Sequence, residues 1–131
     1  MTKHLLDSNV LILALRSQTE ALDSLEQLQA EEIPYISVAT RTEVLAGMRP
    51  YEGERTLELL ASFASLPVST SIADRAGRLI YDHACRGIQV SFPDALIAAT
   101  ALEHDLILVT TNVKHFPMLE GRVRALFPTE Q

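Results

Sequence analysis

Three acidic residues in this chain stand where a carboxylate can do chemistry. Asp7 closes the apolar run His4-Leu5-Leu6. Glu43 lies in Thr40-Arg41-Thr42-Glu43-Val44-Leu45, just after the strand-like Pro34-Tyr35-Ile36-Ser37. Asp94 follows Pro93 and opens the apolar stretch Ala95-Leu96-Ile97-Ala98-Ala99-Thr100-Ala101. A fourth polar cluster, Thr110-Thr111-Asn112, ends the run Leu106-Ile107-Leu108-Val109. Two of the four sites fall at the C-terminal end of a strand, where parallel α/β sheets bind ligands. Carboxylates gathered there need a counter-charge, and hard oxygen ligands suit Mg²⁺ or Mn²⁺. Such an ion acidifies water and offsets charge on phosphate oxygens, so the pattern points to metal-dependent hydrolysis of a phosphodiester. Asp7, Glu43 and Asp94 are the expected metal ligands. Asn112 and the hydroxyls of Ser8 and Thr110 are expected to orient ligands or waters around them, with Asn9 ordering Asp7.

The elements that must position these groups follow a strand-then-helix rhythm. A first strand is expected over residues 4–8, followed by a helix with Leu22, Leu25 and Leu28 or Gln29 on one face. Residues 34–37 read as a second strand, with Ser37 capping the helix that carries Glu43. Gly47 and Pro50 end that helix. Leu57, Leu60, Ala61 and Ala64 have the spacing of a buried helix face. Residues 66–70 read as an edge strand, because Pro67 cannot donate to a ladder. Ser71 is the expected cap of a long helix burying Ile72, Ala76, Leu79, Ile80 and His83, and Gly87 ends it. Pro93 suits the first turn of a buried helix. Residues 106–109 form a continuous apolar strand, the signature of a parallel-sheet interior, and residues 123–127 offer a short last strand. The whole reads as α/β, a small parallel sheet with helices on both faces.

A chain of 131 residues with 47% hydrophobic residues suffices for one domain spanning residues 1–131, and argues against disorder. Net charge is −6, which argues against a broad electrostatic grip on nucleic acid. RNA remains compatible, because a metal and a few local cations can act where they are needed. The single cysteine, Cys85, excludes an intrachain disulfide and a Cys/His zinc cluster, and reads as a small buried side chain in a reducing compartment. No signal-peptide pattern or membrane-length apolar run is present, so a cytoplasmic location is expected.

The segments Asp7-Ser8-Asn9, Thr42-Glu43-Val44-Leu45-Ala46-Gly47, Pro93-Asp94-Ala95-Leu96-Ile97-Ala98-Ala99 and Thr110-Thr111-Asn112-Val113-Lys114-His115-Phe116 together resemble the PIN-domain ribonucleases. Among these the chain looks most like the VapC toxins of bacterial and archaeal toxin–antitoxin pairs. The resemblance covers almost the whole chain, in the family's order. It implies a PIN-like three-layer sandwich around a parallel sheet of about five strands. It also implies Mg²⁺- or Mn²⁺-dependent endoribonuclease activity, often on tRNA or rRNA, and commonly a homodimer. A cognate antitoxin protein that blocks the site, and through which operator DNA is bound, is implied as well. Asp7, Glu43 and Asp94 match the three central acids. Asn112 matches a fourth catalytic position that is Asp in many members and Asn in others, which implies one ion before substrate and another recruited by phosphate.

Each residue also has a simpler reading. Asp7 could cap the next helix, Glu43 could pair with Arg41 or Arg49, and Asp94 could serve as a first-turn acid favoured by its helix dipole. Asn112 and Asn9 suit turns. His83 reads as a core or interface histidine, and Asp74 with Arg78 as a solvated pair. Arg16, Arg41, Arg49, Lys114 and His115 are the RNA-contact candidates, since each lies near a motif, although each could equally serve solubility. Aromatic residues are only 5% of the chain, so recognition would rest on RNA shape and a few splayed bases. Two competing functions remain. A haloacid-dehalogenase-type phosphotransferase would use Asp7 as nucleophile, but Asn9 stands where its second acid belongs. A non-catalytic or weakened binding module on the same fold would explain Asn112.

Overall fold

The computed structural model describes residues 3–127. Five short parallel strands form one sheet: β1 (His4–Leu6), β2 (Tyr35–Ser37), β3 (Ala64–Leu66), β4 (Ile107–Thr110) and β5 (Val123–Ala125). Their order is β3-β2-β1-β4-β5, with β1 at the centre. Leu5 pairs with Tyr35 on one side and Leu108 on the other, and Leu108 in turn pairs with Val123. Helices α1 (Ser8–Leu15), α2 (Thr19–Glu31), α3 (Val38–Ala46), α4 (Gly53–Ala61), α5 (Thr70–Cys85) and α6 (Phe92–Glu103) supply the connections.

The period-2 alternation of strand side chains divides the core between the two faces. Leu6, Ile36 and Val109 point to one face and pack with α1–α4 through Val10, Leu11, Leu25, Val44 and Leu60. Leu5 and Leu108 point to the other and meet α6 through Ile97, Ala98 and Ala101. Helix α5 closes over α6, with Ile72 and Ala76 against Ala95 and Ala99. Small residues on α6 permit this burial between sheet and α5. The sandwich of helix, sheet and helix and the five-stranded parallel sheet are as the sequence leads one to expect.

Several boundaries differ, each for a local reason. β1 ends at Leu6, because Asp7 turns to cap α1 and Ser8 already begins the helix. β3 is indeed an edge strand, but it spans Ala64–Leu66 and stops before Pro67. The cap of α5 is Ser69, whose hydroxyl accepts from the Ile72 N–H at 3.1 Å, so Ser71 is inside the helix. Helix α4 buries Thr56 and Leu60, whereas Leu57 and Ala61 are exposed and Ala64 belongs to β3. The buried stripe runs through Glu52, Thr56 and Leu60 at intervals of four. Its start is fixed by Glu52, which the Arg16 guanidinium grips at 3.0 and 2.8 Å. Leu22 is likewise exposed and Ala21 takes the core position. Cys85 is exposed, not buried. Arg75 pairs with Glu103 at 3.2 Å, and no ion pair joins Asp74 to Arg78 among the described residues. His83 is a core histidine, its Nδ1 2.8 Å from the Leu79 carbonyl. Gly87 ends α5 at φ +77°, a conformation that favours glycine. No helix among the described residues is long and apolar enough to cross a membrane.

Candidate active site

The C-terminal edge of the sheet gathers the three acids by way of three helix starts or faces. Asp7 follows β1 and is the N-cap of α1, its Oδ1 accepting the Ser8 N–H at 2.8 Å. The capping reading of Asp7 is thus correct, and it leaves Oδ2 for other work. Thr110, at the end of the neighbouring strand β4, donates its hydroxyl to Asp7 Oδ2 at 2.6 Å. The same Thr110 Oγ1 accepts the Asn112 N–H at 3.0 Å. One hydroxyl therefore fixes both the first acid and the turn that carries the fourth position.

Glu43 sits on α3, which starts at Ser37 where β2 ends. The Ser37 hydroxyl accepts the Ala39 N–H at 3.0 Å and caps this helix. α3 packs against both α1 and α6 and so lies between the other two acids. Ser8 donates its hydroxyl to Glu43 Oε1 at 2.5 Å, which links the first turn of α1 to α3. Among the described residues Glu43 forms no ion pair with Arg41 or Arg49. Arg41 reaches the Ser65 hydroxyl at 3.2 Å, and Arg49 reaches the Tyr51 hydroxyl at 3.3 Å.

Asp94 lies in the first turn of α6. Ser91 caps that helix, its hydroxyl accepting the Asp94 N–H at 3.2 Å. Ser91 escaped the sequence reading, although Ser-x-x-Asp ahead of an apolar run is a capping signature. Asp94 Oδ2 lies 3.7 Å from His115 Nδ1. His115 belongs to a 3-10 turn, Val113–His115, that follows Asn112. The N-terminal end of α6 and the loop after β4 therefore face each other across the site.

Burial, with Asp7 only 5% exposed, pushes the Asp7 carboxyl above the ordinary carboxylate range. Hydrogen bonds from Thr110 and Ser8 oppose that shift, while the charges of Asp94 and Glu43 add to it. Among the described residues none of the three acids has an Arg or Lys partner. As they stand, no three His, Cys, Asp or Glu side chains among the described residues are gathered closely enough to hold an ion. Ser8 draws Glu43 aside and His115 lies beside Asp94. The donor set itself is the all-oxygen kind that fits Mg²⁺ or Mn²⁺, and the mutual repulsion is what a cation would relieve.

The remaining expected residues separate clearly. Asn9 is exposed on α1, and Asp7 takes its hydrogen bonds from Ser8 and Thr110 instead. Arg16 is committed to Glu52, which also accepts the Arg49 N–H at 2.7 Å. No local pattern signals this partly buried pair, because its members lie 36 residues apart. Lys114 and His115 line two open cavities beside the acids, whereas Arg16, Arg41 and Arg49 line neither.

Comparison with known proteins agrees with this geometry. The PIN domain family model matches residues 4–118, which include every acid of the site and Asn112. Ribonuclease VapC10 of Mycobacterium tuberculosis is 41% identical over 116 residues, covering 88% of this chain and 87% of that protein. A toxin–antitoxin complex from Klebsiella pneumoniae contains a chain with the same fold at TM-score 0.78 and 32% identity, covering 95% of this chain and 98% of the other. DNA-bound VapBC from Salmonella typhimurium superposes at TM-score 0.79 with 26% identity, over 96% and 99% of the two chains. The chain belongs to the PIN-domain family and, within it, to the VapC ribonucleases.

Proposed function

We propose that this chain is the toxin of a toxin–antitoxin pair, a divalent-metal-dependent endoribonuclease that hydrolyses phosphodiester bonds in a structured RNA of the tRNA or rRNA class. The observation that carries this reading is the meeting of Asp7, Glu43 and Asp94, whose mutual charge is felt at Asp7. The same reading places the protein in the cytoplasm as a homodimer, held inactive by a cognate antitoxin that contacts operator DNA on the complex's behalf. The toxin–antitoxin and DNA-bound assemblies of its structural relatives support the partner assignment.

In this reading Asp7, Glu43 and Asp94 would hold Mg²⁺ or Mn²⁺, which would supply positive charge to acidify water and offset charge on the phosphodiester's oxygens. Thr110 and the Ser8 N–H hold the Asp7 carboxylate in one orientation, and Thr110 ties it to the Asn112 turn. Ser8 holds Glu43 in reserve through a hydrogen bond that ligand binding can exchange. Asn112 offers a neutral amide at the fourth position, which can orient water or phosphate without adding repulsion. Hydrolysis adds water across one P–O bond, leaving a phosphomonoester on one fragment and a hydroxyl on the other.

The test is incubation of the purified, antitoxin-free chain with total cellular RNA in Mn²⁺ or Mg²⁺, with the new ends mapped by sequencing. Discrete cuts that vanish in EDTA are expected. Absence of cuts in either metal, across tRNA and rRNA, would favour the second reading that Asn112 motivates, a PIN fold that binds and no longer cleaves. The PIN family match sets the phosphotransferase alternative aside.

A further inference from the structure

Two cavities of about 420 Å³ each open around the 3-10 turn that follows Asn112. Lys114 and His115 belong to the walls of both. The first cavity runs from Asn112 and Val113 to Phe127. The second runs from Asp94 to Gln89, Ser91 and Pro117. The first opens at Asn112, whose N–H reaches Thr110 and through it Asp7. The second opens at Asp94 itself.

We propose that these cavities are the subsites for the two nucleotides flanking the scissile phosphate, one stacking its base on Phe127 and the other having its base edge read by Gln89. This rests on the nuclease reading and extends it to how substrate is selected. Both volumes fall within the range of about 300–1,000 Å³ typical of small-molecule sites. Phe127 is partly buried, packed from behind by the core that α1 and α2 share, so the ring is held in place. An aromatic face stacks on any base and is tolerant of sequence. Gln89 is exposed on the loop between α5 and α6. Its amide carries both donors and an acceptor, the combination that discriminates base edges. Among the described residues Lys114 is the single Lys or Arg on either wall, and it is shared by both. A phosphate passing between the cavities would meet that cation on one side and the acidic cluster on the other.

The experiment is titration of ¹⁵N-labelled protein, in Mg²⁺, with 2′-O-methyl dinucleotides covering every base at each position, followed by amide chemical shifts. A single dinucleotide should perturb both the Asn112–Phe127 wall and the Gln89–Ser91 wall. Gln89→Ala should flatten base preference at one position only, by about tenfold. Phe127→Leu keeps an apolar filler against the core and should weaken every sequence alike, again by about tenfold. Lys114→Gln should weaken all sequences and reduce the salt slope by about one. Perturbations confined to one cavity or absent from both would overturn the assignment, as would unchanged base preference in Gln89→Ala. The titration needs no cleavage, so its failure is distinct from failure of the nuclease reading, which is read from RNA cutting by the parent protein.

Discussion

Asp7 bears conflicting demands. It caps α1 and accepts from Thr110, and it is buried beside two other acids. Because its folded pKa is raised, its stability contribution is fully present below the unfolded value of 3.8 and is lost as pH rises through the folded pKa. At neutral pH without metal, the ionised Asp7 therefore costs stability. Asn is as good an N-cap as Asp; with its single oxygen on the Ser8 N–H its amide NH2 faces Thr110 and can donate to that hydroxyl. Asp7→Asn is expected to raise the Tm of the metal-free protein at pH 7 and to leave it nearly unchanged near pH 3, as read by thermal melts across that range. A lower Tm at pH 7 would show that the charge is compensated by some other group. At this scale the sequence was informative about identity more than about contact. Asp7, Asp94 and Thr110 are legible because each stands at an element end or beside one, and Glu43 because it lies in the short motif over residues 42–47 soon after the second strand. The bond from Ser8 to Glu43 is not, since it depends on α1 and α3 meeting across 35 residues of sequence.

Elements place the acids, and their caps set the precision. Asp94 is held by a helix whose start is defined by Ser91. Ser91→Ala is expected to cost about 1 kcal/mol in denaturant unfolding, the usual loss for an N-cap. It should also lower cleavage by loosening the first turn that presents Asp94. Unchanged stability and rate together would mean that Pro93 and tertiary packing alone fix that turn. On the other side, the Arg16–Glu52 pair ties the end of α1 to the start of α4. The Arg49 N–H and the Arg16 guanidinium hold the Glu52 carboxyl below its ordinary 4.5. Its stabilisation is therefore present above that value and is lost as pH falls through the lower folded pKa. Glu52→Gln should lower Tm at pH 7 and remove part of the acid sensitivity seen below pH 4.5. Equal Tm losses at pH 7 and pH 3 would argue against a charge effect. Sequence periodicity misplaced α4 for the same reason. Leu57, Leu60 and Ala61 suggest one face, but the buried Glu52 rotates the helix so that Thr56 and Leu60 point inward. A pairing between distant residues overrode a local pattern. The central strands β1, β2 and β4 and the small-residue helix α6 survived because their burial is nearly complete and leaves no choice of face.

On the scale of the whole molecule, the central strand β1 with the helix α1 that follows it, helix α6 on the other face, and helix α3 in contact with both α1 and α6 converge on one edge of the sheet. Residues far apart in the chain are thereby brought to that edge. As they stand the acids are not closed upon an ion, with Glu43 hydrogen-bonded by Ser8 and Asp94 facing His115. Metal and substrate together are expected to complete the arrangement. The most direct measurement is RNA cleavage and Mn²⁺ calorimetry on the folded parent beside Asp7→Asn, Glu43→Gln and Asp94→Asn. Each substitution should reduce cleavage by about a hundredfold or more and weaken Mn²⁺ binding. Cleavage at the parent rate by any one of the three, with the fold intact, would contradict a shared three-carboxylate site.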